Sequence, residues 1–581
     1  LVPDRSALAP LDALYLDAVN ALVVRDFESA IKAYAEIARQ KPGDAAALVD
    51  LGRAYEKNDD TANAIKSYVE ATRLAPFDAT AYLRVAALYS RKQDVASASA
   101  ALDKAEGIFR DSGNQEGLAE VIYRRGVVLR DSGKLPDARP QLEKALELAK
   151  TNGNESQRVN ILLELSRLSY IEGALVKQQQ YAKEAIEFAE AHNVESLLMR
   201  GLNELGIALQ SGGDYDGAAA QYQKALDLAR RSNVPYLEAR SLVNLAGLRI
   251  EQLRTDEGLQ YAEQALAIFQ QGHYRKDISS SLTFVGRARR RKGDYAGALQ
   301  VIEQKLQLAR DAGDQRQIAF SLGEIGTVLY EQERYTESLS RYDESFVIYK
   351  SLGIRMNLAY NLLQRGNLLW RLGRYDESRA AINQAFEIAS RPDTQIKPLL
   401  ADVQMREAQL ALSRRLFPEA KAKARAALDA SRREYEVTAI EAKFTLGLAQ
   451  ALSGSAAEGQ RLCAEAAEQA ERSGDTALFS KALLALAEAE LENRDAAGAL
   501  NHARQAQVRS ASASQSDSEW RAWLVIARAG RALGDDEKAR EALARAGEIL
   551  SGLEQKWGAE AFTGYTGRPD IQFYREQLGG P

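Results

Sequence analysis

The chain has 581 residues, of which 46% are hydrophobic and 27% are charged, and its formal net charge at pH 7 is −5. This length is greater than one ordinary globular core can support. The single cysteine excludes a disulfide framework and a thiolate metal site. The excess of acidic over basic residues disfavours an array that binds phosphate groups. With only 12 prolines and no apolar run as long as a membrane span, the composition favours a long helical array.

Small residues recur at a fixed interval along almost the whole chain. The first series is Ala18, Gly52, Ala86, Gly126, Ser166, Gly206, Ala246, Gly286, Gly326, Gly366, Ala408, Gly447, Ala487 and Ala527. The second series follows 12 residues after each and is Ala30, Ala64, Ala98, Ala138, Ala218, Gly258, Ala298, Ser338, Ser378, Ala420, Gly459, Ala499 and Ala539, with Gln178 as its one departure. This period predicts a solenoid of helical hairpins, because small residues let two helices approach closely.

The interval between first-series residues divides the chain. The two steps from Ala18 to Ala86 are short, the seven steps from there to Gly366 are each 40, and the last four are 42, 39, 40 and 40. We therefore predict short units over 1–112, units of 40 residues over 113–390, and further units over 391–548. Prolines at positions 392 and 398 predict a disturbed phase near 391–398, and the Ser-rich stretch at 510–518 predicts a flexible connection.

The last segment, 549–581, largely leaves the repeat pattern. A short helix is predicted near its end, with Asp570 close to its first turn and Ile571, Tyr574 and Leu578 on one face. Since the terminal unit of a solenoid has to be shielded from water, we expect this segment to act as a capping helix and tail.

The second unit has the most specific pattern. Between residues 45 and 78 it carries Leu48, Leu51, Gly52, Tyr55, Ala64, Tyr68, Ala71 and Pro76. At these positions it resembles the tetratricopeptide repeat, and the 40-residue units resemble the longer variety of that repeat. The resemblance extends roughly over residues 11–548 and implies an all-α fold, a right-handed α-solenoid superhelix of about 14 hairpins.

No catalytic constellation accompanies the repeats. The chain has no phosphate-binding G-x-x-x-x-G-K sequence, no H-E-x-x-H and no G-x-S-x-G. The three histidines lie in different units without zinc-ligand spacing, and Cys463 is predicted to be a small buried residue on a second helix. We therefore expect no enzymatic activity within this chain, no cofactor and no metal.

The resemblance implies that first helices form most of a concave wall. Eight side chains are the candidates for a protein-binding groove there: Arg200, Asn203, Asn244, Arg287, Arg290, Tyr330, Asn367 and Trp370. We expect the amides to bind peptide backbone, the arginines at 287 and 290 to pair with acidic side chains, and the two aromatics to hold apolar ones. The alternative that each aromatic packs against the next unit stays open.

These expectations describe a non-catalytic protein-protein interaction scaffold whose partner is a protein or peptide with an acidic segment. Two other functions remain open. One is a structural subunit that assembles into a large complex through its convex surface or its ends. The other is an RNA-binding array, for which the basic run at 287–292 is the strongest argument; the charge balance makes nucleic acid the less expected partner.

The chain is also similar to the long C-terminal repeat regions of bacterial serine/threonine protein kinases, on the strength of residues 15–22, 51–58 and 568–575. This similarity implies the sensing or scaffolding part of a larger bacterial signalling protein, with any kinase domain outside this chain. Because the sequence begins without methionine, we expect a processed chain or a piece of a longer one. The implied location is cytoplasmic, or periplasmic if the chain is attached to a membrane-anchored protein, and the oligomeric state stays open.

Overall fold

The computed structural model describes residues 8–172, 174–391, 397–431 and 436–578, and over these residues the only regular secondary structure is helical. The first twelve helices, α1 to α12, are Pro10–Val23, Phe27–Gln40, Ala45–Lys57, Thr61–Leu74, Ala79–Arg91, Val95–Asp111, Gln115–Asp131, Leu135–Thr151, Glu155–Ile171, Leu175–Ala191, Glu195–Ser211 and Tyr215–Arg231. The next eight, α13 to α20, are Pro235–Glu251, Thr255–Gln271, Arg275–Arg291, Tyr295–Asp311, Gln315–Glu331, Tyr335–Leu352, Arg355–Arg371 and Tyr375–Ala389. The last ten, α21 to α30, are Lys397–Ser413, Phe417–Ala430, Glu436–Ala451, Ala456–Arg472, Thr476–Glu492, Ala496–Ser512, Ser516–Ala532, Asp536–Trp557, Ala559–Thr566 and Pro569–Leu578.

Helices α1 to α28 follow one another as 14 hairpins, which confirms the predicted all-α solenoid. The chain divides into two compact units. Unit 1 consists of Leu1–Leu248, Gln260–Leu282 and Leu308–Asp314, and unit 2 consists of Arg249–Leu259, Thr283–Gln307 and Gln315–Pro581.

In the hairpins whose first-series residue is glycine, that glycine lies against a side chain of the second helix, one helical turn after the second-series residue. A Cβ atom added to Gly52 would lie 2.7 Å from the ring of Tyr68, and one added to Gly206 would lie 2.4 Å from the ring of Tyr222. Since such distances are far below van der Waals contact, only glycine leaves room for the ring.

The second-series residue is small because it lies against the backbone of the first helix. A Cβ atom on Gly459 would lie 2.5 Å from the carbonyl oxygen of Gly447. Where serine occupies this position, its hydroxyl is close enough to the first helix to bond with the backbone. Ser338 donates a hydrogen bond of 2.7 Å to the carbonyl oxygen of Gly326. Both series of the sequence thus mark the line along which two helices touch.

Two buried polar side chains of second helices have polar partners, whereas neither amide atom of the buried Gln178 has a hydrogen-bond partner among the described residues. Lys305 is 1% exposed, and its ammonium group binds Glu324 at 2.7 Å. The buried Ser345 donates to the carbonyl oxygen of Ala319 at 2.8 Å. A buried polar group that is paired in this way avoids most of the cost of leaving water.

The turns between the two helices of a hairpin share two features. Gly213 and Gly373 occupy the left-handed region, with φ of 82° and 75°, as expected for glycine after a helix. The aromatic residue that begins the second helix fills the turn in several hairpins: Phe27 is 4% exposed and Tyr335 is 2% exposed.

Three further predictions have different outcomes. Cys463 is fully buried in α24, as predicted. The expected flexible connection at 510–518 is wrong, because α26 continues to Ser512 and α27 begins at Ser516, so that three residues separate the helices. The predicted disturbance at 391–398 falls largely on residues 392–396, which lie outside the described residues.

We predict that Gly326→Leu destabilises the chain, because a Cβ atom at this position would already lie 3.0 Å from the Tyr342 ring. Overpacking of this kind costs about 1–3 kcal/mol, and the midpoint of thermal unfolding followed by circular dichroism should fall. Gly107→Leu is the matched control, since a Cβ atom added to this helical glycine meets nothing within 4 Å. The control should leave the midpoint unchanged or raise it, because leucine favours helix over glycine. Equal midpoints for the two variants would contradict the packing register.

Candidate binding surface on the first helices

Successive first helices contact one another in each unit. In unit 1 the contacts join α5 to α7, α7 to α9 and α9 to α11, and in unit 2 they join α19, α21, α23, α25 and α27 in the same order. We call the layer that the first helices form in each unit the inner layer. The predicted site residues all lie on first helices, at positions 200–244 in unit 1 and 287–370 in unit 2.

In unit 1 the inner layer carries hydrogen bonds from one first helix to the next. Arg200 on α11 donates to the side-chain oxygen of Asn160 on α9 at 2.7 Å. Asn203 on α11 accepts from Asn244 on α13 at 2.8 Å and donates to Ser241 at 3.0 Å. The predicted amides are thus in contact with each other.

These hydrogen bonds occupy many of the polar donors and acceptors of the inner layer in unit 1. Asn203 is only 8% exposed. Burial, followed by the charge of Arg167, lowers the pKa of Arg200. Arg167 itself binds Glu204 at 2.6 Å and keeps 41% of its side chain exposed, so it remains within reach of a ligand.

In unit 2 the two predicted arginines differ in accessibility. The Arg287 side chain is 44% exposed, lies 3.4 Å from Glu324, and has the rings of Phe284 and Phe320 at 5.7 and 5.8 Å. The Arg290 side chain is 21% exposed and forms an ion pair with Glu331. Burial alone would lower the pKa of Arg290, but the Glu331 carboxylate raises it.

Trp370, one of the two predicted aromatic positions, is covered rather than exposed. Trp370 is 4% exposed, and its indole nitrogen donates to Asn367 at 3.0 Å. The guanidinium carbons of Arg371 and Arg568 lie 4.6 and 4.5 Å from the Trp370 ring. The expectation of an exposed aromatic at Trp370 is therefore wrong, because a residue from the C-terminal segment lies over the ring.

Tyr330 has a different environment. It is half-buried, with the ring of Tyr335 at 5.7 Å and the ammonium nitrogen of Lys481 at 5.4 Å. Burial would raise its pKa, but the positive charges of Arg371 and Lys481 outweigh burial and lower it.

The C-terminal helices α29 and α30 return to the inner layer of unit 2. Arg568, which is 1% exposed, donates to the carbonyl oxygen of Arg371 at 3.1 Å. Trp557 at the end of α28 donates to the carbonyl oxygen of Glu333 at 2.6 Å. A Cβ atom on Gly564 would lie 2.2 Å from the carbonyl oxygen of Leu372, so the backbones of α29 and of the turn after α19 touch directly.

A buried acidic pair lies beside these contacts. Glu333 accepts hydrogen bonds from the backbone nitrogens of Asp517 and Ser518, at 2.5 and 3.1 Å, and thereby caps α27. Asp517 accepts from the hydroxyl groups of Tyr335 and Tyr565. Burial and then the charge of Asp517 raise the pKa of Glu333 to about 7, whereas the pKa of Asp517 stays lowered by nearby arginines, chiefly Arg371, despite its burial.

Sequence reasoning located the inner layer but missed its covering in unit 2. The contacts involved join residues far apart in the chain, such as Arg371 and Arg568, which no repeat period encodes. One sequence signal was available: the segment after the last hairpin is rich in aromatic residues, and Trp557, Tyr565 and Tyr574 are all buried. Exposed tails seldom carry so many large apolar side chains.

These observations define a class: an all-α solenoid built from consecutive helical hairpins. Family models described as tetratricopeptide repeat match residues 15–79, 77–151, 197–271, 281–316 and 316–391. Together they account for more than half of the chain, which belongs to the tetratricopeptide-repeat family. Members of this family bind protein partners, and a protein-interaction scaffold is the corresponding class of function.

Several solved structures are similar to this chain. The apo form of RapI is 16% identical, with 46% of this chain and 97% of RapI covered and a TM-score of 0.38. The APC/C hetero-tetramer Cut9-Hcn1 is 14% identical, with 90% and 97% covered and a TM-score of 0.42. The tetratricopeptide-repeat sensor protein PH0952 from Pyrococcus horikoshii, a signal transduction ATPase with numerous domains, is 14% identical, with 63% and 54% covered and a TM-score of 0.40. A comparison with curated protein sequences gave no significant match.

The described part of the chain contains neither a membrane-spanning helix nor a metal-binding cluster. None of its helices is long and apolar enough to span a bilayer. Its His, Cys, Asp and Glu side chains form no group of three or more that could hold a metal ion.

We predict that Gly564→Ala loosens the C-terminal helices, because the added methyl group would meet the carbonyl oxygen of Leu372. Amide hydrogen exchange in α29 and α30 should accelerate, and the unfolding midpoint should fall. Gly552→Ala in α28 is the control, since nothing lies within 4 Å of a Cβ atom there. It should stabilise the chain by roughly 0.5–1 kcal/mol through helix propensity. Unchanged exchange in Gly564→Ala would argue against the backbone contact.

We predict that Glu333→Gln reduces the pH dependence of stability. The pKa of Glu333 is raised from 4.5 to about 7 in the folded chain, so the folded state binds more protons than the unfolded state between these values. The stabilisation from this group is complete below about pH 4.5 and is lost as the pH rises through about 7, with a ceiling of roughly 3 kcal/mol. The difference in unfolding free energy between Glu333→Gln and the parent chain should therefore change across this range.

Glu337→Gln is a control in which the pH dependence of stability should change in the opposite direction. The pKa of Glu337 is lowered by its hydrogen bond to Arg334, so its contribution is lost as the pH falls. If Glu333→Gln has the same pH profile as the parent chain, the buried acidic pair does not titrate in this range.

Proposed function

We propose that this chain is a non-catalytic scaffold that holds a protein or an extended peptide against its inner layer. The observation that carries the proposal is the polar network of unit 1, in which Arg200, Asn203 and Asn244 lie on first helices and bond across neighbouring ones. A surface with repeated donors and acceptors at a fixed spacing suits a ligand with a repeated backbone. Arg167, exposed at the same layer, supplies a positive charge.

In unit 2 we propose that Arg287 meets acidic side chains of the partner. Its guanidinium group is half-exposed and lies beside two phenylalanine rings, so it can pair with a carboxylate while its stem remains packed. Arg290, Tyr330, Asn367 and Trp370 are held by contacts within unit 2. Participation of Trp370 in binding would require the C-terminal helices to move away, because Arg568 lies over its ring.

The proposal includes an acidic protein partner rather than nucleic acid. The basic run at 287–292 is largely used inside the chain: Arg290 pairs with Glu331, Arg291 donates to the carbonyl oxygen of Ile250, and Lys292 binds Asp256 at 2.5 Å. Few of these charges remain for a phosphate backbone, whose binding depends on many of them. A role as the sensing or scaffolding part of a larger bacterial signalling protein is part of the same proposal.

The test uses peptides selected by phage display against the full chain and measured by fluorescence anisotropy. Selected peptides should be enriched in aspartate and glutamate. Arg287→Gln should weaken their binding about threefold to tenfold, which corresponds to roughly 0.7–1.4 kcal/mol. Circular dichroism should show unchanged helicity.

Arg341→Gln is the matched control. The Arg341 side chain is 43% exposed, close to the 44% of Arg287, but lies on the second helix α18 and pairs with Glu344. This variant should bind as the parent chain does. Equal losses in both variants would move the site away from the inner layer, and strongly salt-dependent binding of RNA homopolymers would favour the RNA-binding alternative.

A further inference from the structure

A cavity of about 110 Å³ lies within unit 2, beneath the C-terminal helices. Its lining combines charged and apolar side chains, among them Tyr330, Arg371, Phe444, Leu448, Lys481 and Leu484. These residues come from the first helices α17, α19, α23 and α25. The cavity is accessible rather than sealed, because Tyr330 and Lys481 are half-buried and not buried.

Most charged groups of the lining already have partners. Arg521 binds Glu488 at 2.8 Å, Arg568 binds Asp570 at 2.6 Å, and Glu331 is paired with Arg290. These groups would lose an existing ion pair if they turned toward a ligand.

Lys481 is the exception. Among the described residues Lys481 has neither a hydrogen bond nor an ion pair. Its ammonium nitrogen lies 5.4 Å from the centre of the Tyr330 ring. The positive charge of Lys481 favours the ionised forms of Glu331 and Glu441. Neither carboxylate is its ion-pair partner, because Glu331 pairs with Arg290 and Arg406 binds Glu441 at 3.0 Å.

Two arginines add to the positive charge. The Arg371 guanidinium group lies 3.8 Å from the Asp517 carboxylate, and the buried Nε of Arg371 has no hydrogen-bond partner in the described part of the chain. The guanidinium carbon of Arg415 lies over the ring of Phe573 at 3.9 Å, with no carboxylate paired to it in the described part of the chain. The lowered pKa of Tyr330 is consistent with this excess of positive charge, since burial alone would raise it.

A buried or half-buried cation without a partner favours an anion that can supply the missing charge and hydrogen bonds. The cavity is smaller than a roughly 150 Å³ protein cavity that accommodates benzene, which limits a ligand to about six non-hydrogen atoms. Leucine and phenylalanine side chains in the lining favour an apolar group on the ligand, whereas a fully hydrated ion such as phosphate would leave them uncompensated.

We propose that this cavity binds a small organic monocarboxylate with a short apolar group, whose carboxylate pairs with Lys481 and whose apolar group contacts Leu448 and Leu484. This would be a small-molecule site separate from the protein-binding surface proposed above, and it does not depend on that proposal. Ligand binding there would stabilise the folded state of unit 2 by mass action.

The experiment titrates the full chain with butyrate and, separately, with the neutral isostere butyramide and with inorganic phosphate, by isothermal calorimetry at constant ionic strength. We expect saturable binding of butyrate at sub-millimolar to millimolar concentration, and at least about tenfold weaker binding of both other probes. This comparison requires no substitution and separates the charge from the shape of the ligand.

Lys481→Met then tests the location of the site. It should reduce butyrate affinity by at least about tenfold, while Lys443→Met should not. Lys443 is the matched control because it also lies on a first helix, with 15% of its side chain exposed, and pairs with Glu465 outside the cavity lining. Circular dichroism of each variant checks that the helices are intact.

Three results would overturn the proposal. The first is no butyrate binding up to about 20 mM, well beyond the affinity expected of a formed site. The second is butyramide or phosphate binding as tightly as butyrate. The third is equal loss or equal retention of affinity in the two lysine variants. If Lys481→Met fails to fold, Leu448→Phe, which fills part of the cavity, replaces it and should also abolish butyrate binding.

Discussion

The closeness of the two helices in each hairpin is the constraint on which the rest of the structure depends. A first-series glycine leaves a space on the first helix, and a side chain of the second helix, one turn after the second-series residue, fills it. Where a tyrosine ring lies over a first-series glycine, its hydroxyl can reach a polar side chain one turn further along the first helix: Tyr222 donates to Gln210 at 2.8 Å, and Tyr68 donates to Glu56 at 3.1 Å. Core packing thus positions polar side chains on the inner layer, because the same ring belongs to both.

The inner layer has a second constraint, which follows from the first. Since successive first helices touch, polar groups between them lose water and have to bond with each other; an unpaired buried group costs about 1–3 kcal/mol. Arg167 with Glu204, and Asn203 with Asn244, satisfy this requirement in unit 1. A ligand that uses these groups must replace an existing bond, so each exchange contributes little net free energy. Affinity on such a surface has to come from many contacts in register, as a solenoid provides.

The sequence predicted the fold well, because the repeat period shows which residues of the two helices in a hairpin lie against each other. Every first-series glycine lies at a helix contact, and the small second-series residues mark the same line. The side chain that fills the space over each glycine went unrecognised, since it varies among Tyr, Leu, Ile and Cys in the glycine-containing hairpins. The site was predicted less well: the candidate residues lie on first helices, as expected, but the ring of Trp370 is covered by Arg568, which lies in the C-terminal segment. The Ser-rich stretch at 510–518 misled because composition alone ignores that Glu333 caps α27 at Asp517 and Ser518.

The repeated layer therefore has two different chemical settings along one chain. In unit 1 its guanidinium and amide groups bond across helices while Arg167 and Tyr170 remain about half-exposed, at 41% and 52%. In unit 2 the part of the layer around α19, α21 and α27 lies under the C-terminal helices, where charged groups form buried pairs, whereas Arg287 on α15 stays half-exposed. Burial of a charge without a counter-charge costs free energy. The unpaired Lys481 in this region is therefore stronger evidence for an anionic ligand than an unpaired lysine on an exposed helix would be. Repetition fixes the backbone in both units, and the C-terminal segment alone changes what the inner layer of unit 2 can accept.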